Sequence, residues 1–262
     1  MKYGCPVGIA AMWCYPSWMR VAFEKLAKLN VARFQWIESQ TSELDRLGLL
    51  SVQEALCSTV GRYRYLEVGS HLGGSLQPHV SDARCVSIAS IDSRPLEQPD
   101  ERWAENYRYD GNSTARMLEQ LALVPGADLG KIQTFEATAQ NLPSASIPFG
   151  VHFAFIDGEH TNVAVVRDFQ SVRQFLSETS VMVFHDCFVT PRAFRKIRRR
   201  LFWDRESHAF LYFPESNLVA IAFGSVRAEL LSYGWQTKPS VSAWLKFWQS
   251  VTRNLARAVT AR

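Results

Sequence analysis

The chain has 262 residues, a formal net charge of +4, a hydrophobic content of 47% and a charged content of 21%. These values are typical of a globular protein with one large α/β domain and its appendages. The five cysteines form no CxxC spacing, which argues against a zinc ribbon or a disulfide framework and predicts a cytoplasmic protein. No stretch approaches the ~20 apolar residues of a membrane span, and Pro6 and Pro16 interrupt the apolar N-terminus, so a signal peptide is not expected either.

The N-terminal part is predicted to be helical. Apolar residues recur at roughly helical spacing over residues 17–47, and Gly48 follows as a stop signal. A second, short helix is predicted near Val52–Ser58. We therefore expect residues 1–58 to form a helical cap over a sheet or over the mouth of its site.

Strands and helices alternate over residues 59–225, which we expect to form the main domain. The predicted strands are Tyr63–Val68, Cys85–Ile91, Lys131–Phe135, Val151–Ile156, Val181–Phe184, His208–Phe213 and Leu218–Phe223. One helix is predicted directly after a glycine turn near residue 70. The other predicted helices span Ser113–Leu123, Val163–Leu176 and Ala193–Leu201. This alternation predicts an α/β fold with a doubly wound, mostly parallel sheet. The last two strands are expected to be antiparallel, because Pro214–Asn217 is too short for a helical crossover.

Residues 65–75 carry the most informative local pattern, Tyr-Leu-Glu-Val-Gly-Ser-His-Leu-Gly-Gly-Ser. A buried strand runs into a turn in which Gly69 and Gly73 allow the backbone to approach a ligand closely. Glu67 places a carboxylate near the carboxyl end of this strand, where open α/β sheets bind small molecules. A negative charge there suits a ligand with cationic or hydroxyl groups and suits a pyrophosphate poorly. Because the pattern is not G-x-G-x-x-G, a purely structural turn remains an alternative.

Asp92 follows the second predicted strand and lies about twenty residues beyond the glycine turn, at the spacing used by dinucleotide-binding folds. An acidic residue at this position typically accepts hydrogen bonds from the ribose hydroxyls of an adenosine cofactor. The alternative is that Asp92 caps a loop.

The fourth and fifth predicted strands end in acidic and histidine residues. Asp157 and His160 follow the fourth strand, and His185 and Asp186 follow the fifth. Because these strands are expected to be neighbours, the side chains are predicted to converge. Two carboxylates and an imidazole suit a divalent cation, and His160 or His185 is a candidate general base. Each histidine taken singly is equally compatible with a structural hydrogen bond, and Cys187 is predicted to be buried rather than nucleophilic.

Four motifs in this order resemble those of the class I S-adenosylmethionine-dependent methyltransferases. The motifs are Glu67-Val-Gly-Ser-His-Leu-Gly-Gly-Ser75, Ile91-Asp92, Phe155-Ile-Asp-Gly-Glu-His160 and Val183-Phe-His-Asp-Cys187. The subgroup that they resemble contains small-molecule and sugar O-methyltransferases with an IDG(D/E)H…FHD pattern, with a more distant similarity to metal-dependent catechol-type enzymes. The resemblance covers about residues 60–225 and implies a Rossmann-like, seven-stranded sheet with an antiparallel last strand.

The resemblance also implies roles for individual residues. The residues implied to line the S-adenosyl-L-methionine site are Glu67, Gly69, Ser70, Gly73, Ser75, Asp92, Thr138 and Asp157. Among them, Asp92 would hold the ribose and the loop at Thr138 would border the adenine, although Ala137 replaces an acid that many relatives carry. Asp157, His185 and Asp186 fall at the metal positions of the metal-dependent relatives. The resemblance thus allows Mg²⁺ or Mn²⁺ as a further cofactor. Those relatives commonly have two acids, or Asp-Asn, where His185-Asp186 stands.

The sequence therefore predicts a methyltransferase that acts on a hydroxyl of a small molecule or sugar, with Asp157 and either His160 or His185 in the catalytic machinery. A nicotinamide-dependent oxidoreductase is the first alternative, and the missing G-x-G-x-x-G and the position of Glu67 argue against it. A non-catalytic binding protein that keeps the pocket is the second.

Two basic segments bear on partners. Residues 192–200 are either a solvated helix face or a docking surface for an anionic acceptor, and they do not indicate specific nucleic-acid binding. Residues 226–262 are predicted to be an amphipathic helical extension whose apolar face comprises Trp244, Phe247, Trp248, Val251 and Leu255. Packing or formation of a homo-oligomer is the favoured interpretation of this face, and attachment to a membrane surface is the alternative.

Overall fold

The computed structural model describes residues 17–102, 105–147 and 150–240, together with positions 245, 249 and 252. The predicted apolar face of the C-terminal helix and all residues before 17 lie outside these described residues. Among the described residues, no helix is long and apolar enough to cross a membrane.

The centre of the protein is a seven-stranded sheet with the order β3-β2-β1-β4-β5-β7-β6. Its strands are β1 Tyr63–Val68, β2 Cys85–Ile91, β3 Ile132–Phe135, β4 Val151–Ile156, β5 Leu176–Phe184, β6 His208–Tyr212 and β7 Val219–Phe223. Strands β1 to β5 pair in parallel, and β7 is antiparallel to both β5 and β6. The predicted fold class and the antiparallel closing pair are thereby confirmed.

Helices cover both faces of the sheet. They are α1 Ser17–Leu26, α2 Glu43–Val60, α3 Gln77–Val80, α4 Thr114–Ala122, α5 Asn162–Arg173, α6 Pro191–Trp203 and α7 Arg227–Ser232. Tyr65 and Phe153 belong to a core shared with α2 and α4, while Leu66 and Ala154 belong to a second core shared with α5 and α6. Adjacent residues of a strand face opposite sides of the sheet, so the continuous apolar runs of β1 and β4 fill two cores at once.

The predicted helix end at Gly48 is wrong. Helix α2 begins after Ser42, which forms a reciprocal capping box with Asp45, and it continues through Gly48 to Val60. A Cβ on Gly48 would lie 2.7 Å from Leu218 Cδ1, so the glycine allows the helix to pack closely against the loop before β7. Close packing, rather than helix termination, explains this glycine.

The boundary between α5 and β5 also differs from the prediction. Helix α5 ends at Arg173 instead of Leu176, and Leu176 already pairs with Val151 as the first residue of β5. The tertiary environment decides this boundary, because Phe175 and Leu176 are buried in the core next to α5.

Candidate active site

The carboxyl ends of four neighbouring strands form one edge of the sheet, and the candidate site lies there. Gly69 after β1 donates a backbone hydrogen bond to Ile91 O of β2 at 2.8 Å. Asp157 after β4 donates to Val68 O at 2.9 Å, and His185 after β5 donates to Ile156 O at 3.1 Å. The parallel ladder thus extends one residue beyond each strand and brings the predicted site residues side by side.

Two cavities of about 220 Å³ each open at this edge and share Gly69 and Asp92 on their walls. The predicted residues on the first cavity are Gly69, Ser70, Ser75, Asp92, Asp157 and His160. Thr138 lines the second cavity together with Asp168 of α5. The structure thus brings the sequence-predicted residues of three strands and one loop to two cavities with a shared wall.

Gly73 and Glu67 do not line either cavity. A Cβ on Gly73 would lie 3.1 Å from side-chain atoms of Met117 and Leu121, so this glycine permits close packing of the turn against α4. Glu67 is fully buried behind the wall and accepts hydrogen bonds from Tyr65 Oη at 2.6 Å and Ser75 Oγ at 2.5 Å.

Burial raises the pKa of Glu67 to about 8, because the hydrogen bonds from Ser75 and Tyr65 only partly offset the loss of solvation. The carboxyl is therefore mainly protonated near pH 7. This corrects the sequence argument, which assigned Glu67 a negative charge that attracts a cationic ligand.

We expect the variant Glu67→Gln to lose part of the pH dependence of stability. The folded pKa of about 8 lies above the ordinary value of 4.5, so between these pH values the unfolded carboxyl ionises while the folded one stays protonated. The free energy of unfolding therefore falls as pH rises through this window and levels off above it. Glutamine cannot ionise, so from pH 5 to pH 8.5 the variant gains about 2–4 kcal/mol relative to wild type. Urea denaturation at a series of pH values measures this difference.

The exposed Glu119 of α4 provides the control, since Glu119→Gln should leave the pH profile of stability unchanged. Parallel profiles for wild type and Glu67→Gln would contradict the assignment of a protonated Glu67.

Asp92 holds the loop that follows β2. Its Oδ2 accepts a hydrogen bond from His71 N and its Oδ1 accepts one from Arg94 N, both at 2.8 Å. His71 and Arg94 have φ values of 43° and 52°, so the carboxylate stabilises two unusual backbone conformations. The loop-capping interpretation is therefore correct. It does not exclude ligand binding, because each carboxylate oxygen has a further lone pair and the side chain borders both cavities.

His185 is held between two carboxylates. Its Nδ1 lies 3.1 Å from Asp157 Oδ1, and its Nε2 lies 3.4 Å from Asp45 Oδ2 of α2. Burial lowers the pKa of His185, but the charge of Asp157 and the hydrogen bonds to Asp157 and Asp45 outweigh it and raise the pKa well above the ordinary value. The two carboxylates therefore favour the protonated form of the imidazole.

His160 is in a similar position on the cavity wall. Its Nε2 lies 3.4 Å from Asp157 Oδ1, and its Nδ1 lies 3.1 Å from Asp100 Oδ2. Burial lowers the pKa of His160, but the hydrogen bonds to Asp100 and Asp157 and the nearby charges raise it to about 9. Either histidine must lose a proton before it can act as a general base or as a metal ligand.

Asp186 is paired with a guanidinium. Arg102 Nη1 lies 2.6 Å from Asp186 Oδ2, and Nη2 of the same side chain lies 2.6 Å from Asp100 Oδ2. Both Arg102 and Asp100 belong to the segment 93–112, which leaves β2 and contains a small hairpin of Glu97–Gln98 with Tyr107–Arg108.

The donor set fits Mg²⁺ poorly. Asp157, His160 and His185 present ligand atoms within 4.8 Å of one another, whereas the predicted set contained Asp186 in place of His160. Asp186 is bound to Arg102 instead, at 3.7 Å from His185 Nδ1. A single carboxylate beside two imidazoles is not the oxygen-rich set that Mg²⁺ prefers.

Sequence reasoning missed three residues of this cluster, namely Asp45, Asp100 and Arg102. Asp45 comes from the N-terminal helix α2, where its capping box with Ser42 was the detectable signal. Asp100 and Arg102 lie in a loop without any motif, and only the path of the chain brings them to the sheet edge.

The strand order and the site at the carboxyl edge define a Rossmann-like class I methyltransferase fold. Residues 66–187, somewhat less than half of the chain, match the model of a family described as "Methyltransferase domain". This part of the chain is therefore similar in sequence to methyltransferase domains. No curated protein matches the sequence.

Two solved structures share the fold. A "putative O-methyltransferase from Klebsiella pneumoniae" superimposes with a TM-score of 0.50 at 14% identity, over 83% of this chain and 94% of that one. CalS11, a calicheamicin methyltransferase, gives a TM-score of 0.50 at 12% identity, over 86% of this chain and 100% of that one. At this level of identity the similarity supports the fold alone.

Proposed function

We propose that the protein transfers a methyl group from S-adenosylmethionine to a hydroxyl oxygen of a small molecule, of which a sugar is one candidate. The observation that carries the proposal is the pair of cavities at the carboxyl edge, which share Gly69 and Asp92 on their walls and of which the first is also lined by Asp157 and His160. We take residues 59–225 as the catalytic unit, residues 1–58 as its helical cap and residues 226–262 as an extension.

The residues present fit the cofactor. Gly69 has φ +89°, and a Cβ there would lie 2.2 Å from Asp157 O, so only glycine allows the ends of β1 and β4 to meet at the cavity wall. His71 borders the same cavity, and its Nε2 is a buried polar atom without a hydrogen-bond partner among the described residues. Such an atom favours a polar ligand that supplies the missing partner.

Gly69, Ser70 and His71 would then hold the amino-acid end of the cofactor, Asp92 the ribose and the Thr138 loop the adenine. When bound, the cofactor supplies an electrophilic methyl group on a sulfonium ion. The protein contributes mainly by holding the acceptor hydroxyl in line with that methyl group.

His160 is the stronger candidate for the base that removes the acceptor proton. It lines the first cavity, whereas His185 is placed behind it between Asp45 and Asp157. Because the pKa of His160 is raised to about 9, the neutral form increases with pH, and the rate of methyl transfer should rise from pH 7 toward pH 9.

Calorimetric titration with S-adenosylhomocysteine and S-adenosylmethionine tests the first step. We expect wild type to bind with a dissociation constant of tens of micromolar or less, and Asp92→Asn to weaken binding about tenfold because a carboxylate acceptor is lost. Asp110→Asn is the matched control, since this aspartate lies on the same segment with 78% of its side chain exposed. Absence of binding to wild type would reject the proposal.

A screen of hydroxyl-bearing acceptors with methyl-labelled cofactor tests the second step. The expected product carries the label on oxygen, and a panel of sugars and sugar phosphates is the first choice because the basic helix α6 begins at the site edge. A labelled nitrogen or carbon in the product would overturn the assignment to O-methylation.

A further inference from the structure

We propose that the guanidinium of Arg102 is the resident cation of this site and takes the place of the divalent metal that the motifs suggested. The inference rests on the proposed function for its catalytic meaning, whereas its geometry and its test do not depend on methyl transfer.

Arg102 makes close contacts on three sides. Its Nε and Nη2 lie 2.9 Å and 2.6 Å from Asp100 Oδ2, and its Nη1 lies 2.6 Å from Asp186 Oδ2. Nη2 also lies 2.9 Å from His160 Nδ1, to which it can donate when that nitrogen carries no proton. The side chains of Asp100 and Asp186 are only 1% and 12% exposed, so these are largely desolvated charge-assisted contacts.

The backbone fixes the position of this guanidinium. Glu101 N donates to His160 O at 3.1 Å, and Asp100 forms an isolated parallel bridge with His160. Glu101 also accepts hydrogen bonds from Asn162 N and Nδ2 at the start of α5, at 2.7 Å and 2.5 Å. These contacts hold the segment around Arg102 against the chain that follows β4. They place the positive charge of the guanidinium at the sheet edge without a metal.

Arg102 therefore acts as a positioning residue for the side chains around it. A planar fork with a permanent charge can hold Asp186 and Asp100 at fixed angles, as an ion with loose coordination cannot. It also neutralises the carboxylates that would otherwise attract a divalent cation. Arg102 therefore orients Asp186 and the cavity-lining His160, and the chain is expected to work in excess chelator.

Titration with Mn²⁺, followed by the loss of the free-ion EPR signal, tests the proposal without an acceptor. We expect wild type and Arg102→Lys to bind no Mn²⁺ below about 1 mM, and Arg102→Met to bind it at least about tenfold more tightly because unpaired carboxylates are left behind. Arg108→Met, on the same segment but 58% exposed, is the matched control and should behave as wild type.

Micromolar binding of Mn²⁺ to wild type would overturn the proposal, as would wild-type affinity in the folded Arg102→Met protein. If the methionine variant fails to fold by circular dichroism, Arg102→Gln takes its place, because it keeps donors without the charge. If wild type does not bind S-adenosylhomocysteine, this result counts against the proposed function alone. Failure of the proposed function is thus distinguishable from failure of the proposal about Arg102.

A second inference comes from the outer face of α6, which we propose docks onto an anionic lipid surface. Ala193, Ile197 and Leu201 pack into the core, and the opposite side is exposed. The exposed basic residues of this helix are Arg192, Arg195, Lys196, Arg198, Arg199 and Arg200. Helix α6 contains no acidic residue between Pro191 and Trp203.

Two aromatic side chains distinguish this face from a merely solvated one. Phe202 and Trp203 end the helix, and each is 73% exposed. Basic residues with adjacent exposed aromatic side chains on an amphipathic helix match the charged headgroups and the apolar boundary of an anionic bilayer. Charge complementarity and exposed apolar area thus point to the same partner.

Sedimentation with phosphatidylcholine vesicles, with or without phosphatidylglycerol, tests this surface. We expect binding only to the anionic vesicles, at least about fivefold weaker binding in high salt, and its loss in Arg195→Glu/Arg199→Glu and in Phe202→Ser/Trp203→Ser. The control Arg62→Glu/Arg116→Glu changes the net charge by the same amount at exposed residues outside α6, and it should bind as wild type. Absence of vesicle binding, or binding to single-stranded RNA in its place, would overturn the proposal.

Discussion

Replacing Gly69 by alanine is expected to destabilise the fold by about 3 kcal/mol or more and to abolish binding of S-adenosylhomocysteine. The glycine has φ +89°, and its added Cβ would lie 2.2 Å from Asp157 O and 2.7 Å from Gly158 Cα. Both obstacles are backbone atoms, so the strand ends of β1 and β4 must move apart. Urea denaturation gives the stability, and calorimetry gives the affinity.

Gly126→Ala is the matched control for this substitution. Gly126 has φ +74°, but no atom lies within 4 Å of its added Cβ, so only the conformational cost of about 1 kcal/mol applies. Equal losses of stability in the two variants would show that the approach of β1 and β4 does not constrain the turn.

The variant Asp45→Asn is expected to lose about 2–4 kcal/mol of stability at pH 7, because it removes the carboxylate that faces Nε2 of the buried His185 and leaves only those on the Nδ1 side. Asp45 also accepts hydrogen bonds from Ser42 at the start of α2 and from Asn217 N at 2.8 Å. Its carboxylate thus ties the N-terminal helix to β5 and to the loop before β7. Chemical denaturation measures the loss, and NMR of His185 should report a lowered pKa.

The pH dependence of this loss follows from the pKa of Asp45. Burial raises the pKa, but the hydrogen bond and charge of His185 together with Ser42 and Asn217 lower it to about 2, from an ordinary value of 3.8. The carboxylate therefore contributes stability above pH 4, and this contribution disappears as pH falls toward 2. The difference between wild type and Asp45→Asn should shrink in the same window.

Asp204→Asn, which removes an exposed partner of Arg200, is the control and should cost less than about 0.5 kcal/mol. A loss of that size in Asp45→Asn would mean that the ion pair with His185 contributes little to the fold.

Much of the fold could be predicted because its signals are local. The apolar runs of β1, β2 and β4 and the N-cap at Ser113 were confirmed within one or two residues. The errors occurred where packing decides, as at Gly48, where a missing Cβ serves a contact with a loop 170 residues away.

The candidate site likewise has features that the sequence predicts and features that it does not. The positions of Asp92, Asp157 and His185 follow from their place directly after parallel strands, since such strands end at a common edge. The charge states of the site residues could not be predicted from the sequence. Complete burial raises the pKa of Glu67, and flanking carboxylates raise the pKa values of His160 and His185. Both effects depend on neighbours from other parts of the chain.

The sequence by itself determined the alternation of elements, the glycine turn after β1 and the residues that end each strand, because these depend on near neighbours in the chain. Only the tertiary structure decided that Asp45, Asp100 and Arg102 join the site, that Asp186 pairs with a guanidinium, and that Glu67 lies behind the cavity wall. The physical reason is that hydrogen bonding and desolvation are set by distances in space, which chain folding imposes and local sequence does not record.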